Sequence, residues 1–143
     1  MNKEVSFELA KLLKEKGFDV PVRNYYLQKE KGNYLHEGFE DSYWGDNRIV
    51  NWNKDVVGIK PFEGFLSAPT ISEVVMWLYE KKSLWILALP TVTGHFAYKI
   101  VDVQLDPKNP IERPPYKDVS ANDYNSPTEA YEAAIEYCLT NLI

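Results

Sequence analysis

Cysteine, histidine and long apolar runs are all scarce in this chain, and each scarcity removes a class of protein. A single cysteine permits no intramolecular disulfide. With two histidines beside it, the usual ligand sets of a structural zinc site cannot be assembled. No apolar stretch approaches the ~20 residues of a spanning helix. Met1-Asn2-Lys3-Glu4-Val5 lacks the apolar core of a signal peptide, so a cytoplasmic location and no membrane association are expected. There is no Gly-rich loop ending in Gly-Lys-Ser or Gly-Lys-Thr and no Gly-x-Gly-x-x-Gly, so no nucleotide cofactor is indicated. Basic residues are the minority, 16 Lys and Arg against 21 Asp and Glu for a net charge of −5. That balance counts against duplex nucleic acid, whose binding rests on neutralising phosphates.

What remains is the composition of a globular domain, 45% hydrophobic and 26% charged. A chain of 143 residues is long enough to bury a core without staples. Ten Tyr, six Phe and four Trp are an excess of aromatics, compatible with a thick core or with a contact surface.

The stretch from Ser67 to Leu105 organises the rest. Thr70 with Glu73 forms a capping box, and Ile71, Val74, Val75 and Leu78 recur at helical spacing. Leu84 to Leu89 is an apolar run too short for a helix and stopped by Pro90, the pattern of a strand buried on both faces. After a turn at Thr91–Gly94, Phe96, Tyr98 and Ile100 alternate as a strand with one buried face would. Earlier, Ser6 caps a helix carrying Leu9, Leu12 and Leu13, and Gly17 ends it. Val22 to Gln28 reads as a strand, Lys31-Gly32-Asn33 as a turn, and Tyr34-Leu35-His36 as the return strand. The opening thus repeats the central plan, with Glu8, Leu13, Glu15 and Lys16 matching Glu73, Leu78, Glu80 and Lys81 at a constant offset.

From Phe39 to Leu66 the periodicity breaks down among glycines and scattered aromatics, with short strands expected at Ile49–Trp52 and Val56–Ile59. Such a segment inside a domain is often functional. Residues 106–125 read as an extended, proline-rich surface connection. Ser126-Pro127-Thr128-Glu129 then starts a last helix, whose stripe of Ala130, Tyr131, Ala134, Ile135, Cys138, Leu139 and Leu142 docks along its length.

Three groups of side chains are candidates for chemistry or contact. Tyr43, Trp44 and Trp52 lie outside any periodic pattern; they fold over the core as a lid or form a partner-binding surface. His36, Glu37, Glu40 and Asp41 either gather around a divalent cation or as acid and base, or form a polar turn. Cys138, in the apolar stripe, reads as a buried inert thiol, and His95 as an exposed or edge residue.

Two stretches carry a resemblance. One is Phe7-Glu8-Leu9-Ala10-Lys11-Leu12-Leu13-Lys14-Glu15-Lys16-Gly17-Phe18-Asp19 followed by a tyrosine-rich strand. The other is Ala68-Pro69-Thr70 opening a helix with Trp77-Leu78, a strand pair, and a capped helix ending Asn141-Leu142-Ile143. Together they are similar to small uncharacterised proteins encoded by phages and integrated mobile elements of gut bacteria. The resemblance covers the first helix, residues 68–103 and the final helix. It implies a phage or mobile-element setting, with no catalytic residue to carry over.

The expectation is therefore one α+β domain over residues 1–143, interrupted by an irregular aromatic-rich insertion at about 39–66. Three helices pack on a mainly antiparallel sheet of at least two hairpins. The function expected is that of a non-enzymatic binding or accessory protein, without cofactor, that engages a protein partner or itself. The alternative is a small enzyme or metal-binding domain using His36, Glu37, Glu40 and Asp41.

Overall fold

The structure, a computed structural model, describes residues 3–29, 32–36, 53, 64–103, 116–119 and 123–143. It is α+β, with three α-helices and antiparallel strands among the described residues. The chain gathers into two compact units, Asn2–Thr70 and Ile71–Ile143.

The first unit opens with α1 (Phe7–Glu15), started by Ser6, whose hydroxyl accepts from the Leu9 N–H at 3.3 Å. Leu9, Ala10 and Leu13 are its buried face. The helix is stopped as the sequence predicts. Gly17 takes φ +81°, the Phe18 N–H reaches back to the Leu13 carbonyl at 2.9 Å, and the Gly17 N–H reaches Lys14 at 3.1 Å. Those two bonds satisfy carbonyls that the helix end leaves unpaired. Three strands follow: β1 (Tyr25–Lys29), β2 (Gly32–His36) and β3 (Gly64–Ser67), in the order β2-β1-β3. The hairpin register closes at Lys29↔Gly32, so Gly32 and Asn33 belong to the return strand and not to the turn. β3, whose first three residues fall inside the stretch read as irregular, pairs with β1 from Tyr25↔Ser67 to Gln28↔Gly64.

Asn53 ties this unit together with a side chain that behaves like backbone. Its amide nitrogen donates to the Phe18 carbonyl at 3.1 Å, and its amide oxygen accepts from the Ser67 N–H at 2.9 Å. Both recipients are buried residues.

In the second unit, α2 (Ile71–Lys82) begins next to Thr70, where the cap was expected. It buries Ile71, Val74, Val75, Trp77 and Leu78. Ser83, at φ +57°, is the left-handed residue that turns the chain into β4 (Leu84–Pro90). β4 runs against β5 (Phe96–Asp102), and β5 against β6 (Tyr116–Val119), with a register shift at Ile100/Val101. The turn between β4 and β5 is Thr91–Gly94 as expected, closed by Gly94 N–H to Thr91 O at 3.1 Å, with Gly94 at φ +80°.

Two expectations are corrected here. β4 is not buried on both faces: Leu84 and Ile86 are buried, Trp85 and Leu87 are half-buried, and Leu89 and Pro90 are exposed. Among the described residues it is an edge strand, and an edge strand need not be apolar on both sides. Pro90 also ends the strand from inside. Its partner Phe96 directs both its N–H and its C=O to Tyr124, so Pro90↔Phe96 is a non-hydrogen-bonded pair. A missing N–H there removes no bond from the ladder. The second correction is β6, which lies in the stretch read as an extended connection and adds a third strand to β5.

The last helix, α3 (Pro127–Tyr137), carries the expected cap, Ser126 Oγ accepting from the Glu129 N–H at 3.2 Å. The Glu129 carboxylate accepts from the Asn125 N–H at 3.0 Å. Ala130, Ala134, Ile135, Cys138 and Leu139 are fully buried, while Tyr131 and Leu142 are half-buried. Cys138–Leu142 forms a π-helical turn, which the stripe of apolar residues did not announce.

Both units therefore begin with a helix and a β-hairpin, and Leu13 and Leu78, matched in sequence, are both fully buried. The third strand differs. β3 adds to the first strand of its hairpin, whereas β6 adds to the second.

Candidate functional site

A surface depression in the second unit gathers side chains from three places in the sequence. Strand alternation puts Tyr98 on the same face of the sheet as Ile100 and, across the ladder, Ala88 and Ile86. Tyr124 is fixed beside it by a reciprocal backbone pair with Phe96, at 2.8 and 2.7 Å. The two rings lie 6.1 Å apart at 30°. From α3 and its π-turn come Glu136, Tyr137, Thr140 and Asn141. With Ala133 behind them they recur at helical spacing, so they form one face beside the buried stripe.

The depression is open and holds ≈ 280 Å³. Tyr98 is buried, Tyr124 and Tyr137 are half-buried, and Glu136, Thr140 and Asn141 are exposed. Asn141 is steadied by its amide nitrogen, which donates to the Tyr137 carbonyl at 3.2 Å. The π-turn widens the last turn where these residues sit, and such turns often occur at functional sites.

Charge singles out the same region. Residues 118–143 contain Asp118, Asp123, Glu129, Glu132 and Glu136 and no Lys, Arg or His. The other sixteen acidic residues precede Asp118 and are matched by all sixteen Lys and Arg. The whole net charge of −5 therefore belongs to the segment that supplies Tyr124 and the α3 wall. Asp123 accepts from the Thr93 hydroxyl at 3.1 Å, and Glu129 is engaged at the helix cap. Glu136, on the rim, makes no ion pair among the described residues.

The residues that the sequence singled out fall mostly elsewhere. Tyr43, Trp44, Trp52, Glu37, Glu40 and Asp41 lie outside the described residues, as do Ile49–Trp52 and Val56–Ile59. His36 ends β2, opposite Tyr25. His95 is exposed as expected, and its carbonyl accepts from the Thr91 N–H at 2.7 Å. Cys138 is fully buried, also as expected, and forms no disulfide. Among the described residues no three His, Cys, Asp or Glu side chains are grouped to hold a metal ion. No helix among them is long and apolar enough to cross a membrane. Tyr98, Tyr124 and Tyr137 were missed because they are spread over forty positions, one on β5, one in an isolated bridge and one on α3; net charge counted segment by segment was a signal for Tyr124 and Tyr137 but not for Tyr98.

No protein-family model matches the chain, and neither a curated protein nor a solved structure does.

Proposed function

We propose that this is a non-enzymatic binding protein, an accessory factor in a phage or mobile-element setting, that engages a protein partner or a second copy of itself through aromatic side chains. The observation that carries this reading is the open depression lined by three tyrosines. Half-buried tyrosines offer large, stiff contact area at low entropic cost and keep a polar tip at the surface, which is what recognition sites use. Its remaining groups are a carboxylate, a hydroxyl and an amide, suited to orienting a bound group. Tyr43, Trp44 and Trp52 belong to the same reading as a second set of anchors.

The test is co-purification of the intact protein from its native host, beside Tyr124→Ala, Tyr137→Ala, Trp44→Ala and Trp52→Ala. Loss of a co-purifying protein, or of self-association in sedimentation, in variants that keep the parent circular dichroism spectrum supports the reading. Unchanged association in all four variants refutes it. Trp44→Ala and Trp52→Ala also separate the two roles of the middle segment. A loss of ~3–5 kcal/mol of stability in both makes it a lid, because that is the range for removing a core tryptophan.

A further inference from the structure

We infer that the Tyr98–Tyr124–Tyr137 depression is a site for an alkylammonium group, one cationic head wrapped in methyl or methylene carbons. The inference deepens the binding reading above and rests on it. Four observations lead there. Tyrosine faces carry negative electrostatic potential, and several rings around one hollow favour a cation with an apolar skin over a hydrated ion. The rim carries Glu136, and the segment supplying most of the walls holds every unit of the net charge. Elsewhere on this chain rings already meet the chain's own cations: Lys82 lies 5.5 Å from the Trp77 ring centre and Lys11 5.7 Å from that of Phe7. Among the described residues the depression is lined by no Lys or Arg that could take that place.

Size and charge argue against the competitors. At ≈ 280 Å³ the hollow falls just below the ~300–1,000 Å³ of pockets for larger organic ligands, and suits a head group or one side chain. Tyr98 and Tyr124 stack on each other with 6.1 Å between ring centres, so no ligand, planar or cationic, enters between them. An anion would meet Glu136 with no described cation to offset it.

The head group can belong to a small free ion or to a lysine side chain of a partner, and one experiment distinguishes them. The full chain, with ring-¹³C tyrosine, is titrated with choline, with its neutral isostere 3,3-dimethylbutan-1-ol, and with the N-acetyl amides of lysine and trimethyllysine. Choline should shift the Tyr124 and Tyr137 ring signals saturably, with the neutral isostere about tenfold weaker. Glu136→Gln should weaken binding several-fold, and Tyr124→Leu, checked for folding by circular dichroism, should abolish it. Tighter binding of either amino-acid amide than of choline assigns the head group to a partner's side chain; the reverse order assigns it to a free ion. Equal binding of choline and the isostere overturns the cation while leaving a binding pocket. No saturable shift with any cation overturns the inference, and Tyr124-dependent co-purification then tells whether the binding reading survives. Shifts that persist in Tyr124→Leu place the cation elsewhere and also overturn it.

Discussion

Truncating Asn53 is the sharpest test of how the first unit holds together. Its side chain spans two backbone groups from distant parts of the sequence, the Phe18 carbonyl just after α1 and the Ser67 N–H at the end of β3. Phe18 is 2% exposed and Ser67 1% exposed, so water is poorly placed to replace either bond. A buried polar group stripped of its partner costs about 1–3 kcal/mol, so Asn53→Ala should lose roughly 2–6 kcal/mol. Asn53→Leu should lose at least as much, because the larger apolar side chain also blocks water from entering. Asn53→Asp keeps the acceptor for Ser67 but sets a carboxylate against the Phe18 carbonyl, so it should not rescue. Ser67→Ala is the control at the same place: the Ser67 hydroxyl is buried and has no hydrogen-bond partner among the described residues, so its removal should leave stability unchanged or raise it. Urea melts followed by far-UV circular dichroism measure all four. An Asn53→Ala curve within ~0.5 kcal/mol of the parent, the range of ordinary surface changes, would refute the reasoning. So would an Asn53→Leu that is milder than the alanine variant.

Three further outcomes follow from the described geometry. Ser126→Ala removes the acceptor for the Glu129 N–H and should cost on the order of 1 kcal/mol in a thermal or urea melt; Thr70→Ala, at the start of α2, should cost about the same. Cys138, fully buried, should resist thiol reagents in the native protein and react completely once the chain is unfolded; fast native labelling would mean that α3 does not dock as drawn. Burial holds the Tyr25 phenol above the ordinary value of 10.0. Because the folded value is the raised one, the stability associated with it is intact below pH 10.0 and is lost as pH rises past it towards the folded value. Ultraviolet titration should show a late-titrating tyrosine that disappears in Tyr25→Phe.

Elements with a signal in their own residues were legible from sequence. Ser6, Ser126, Gly17 and Gly94 do locally what their chemistry requires, and the structure uses each in that role. Cys138 was legible because its neighbours Ala134, Ile135 and Leu139 share one helical face. β3 and β6 were not, because four residues form a strand only when a partner is supplied from elsewhere. For Gly64–Ser67 that partner is β1, nearly forty positions back; for Tyr116–Val119 it is β5, beyond a proline-rich stretch. Propensity cannot report such pairing. The apolar run of β4 misled for a related reason, since hydrophobicity records which residues tolerate burial and not where the sheet ends. The tyrosine depression was hidden in the same way, although the acid-only composition of residues 118–143 was in plain view.

That composition also allows the two forces proposed for the depression to be measured apart. Attraction of a cation to Glu136 and to the surrounding acidic segment is a surface interaction, and added salt screens it within a Debye length of ~10 Å at 0.1 M. Contact of the same cation with the tyrosine faces is short-ranged and depends little on salt. Choline titrations repeated from low to high sodium chloride should therefore show affinity falling and then levelling, with the plateau set by the rings. In Glu136→Gln the fall should shrink while the plateau stays. In Tyr137→Leu the plateau should drop while the salt-sensitive part persists. A parent affinity independent of salt would mean that the acidic segment contributes nothing at this site, and its coincidence with the three rings would then carry no functional weight.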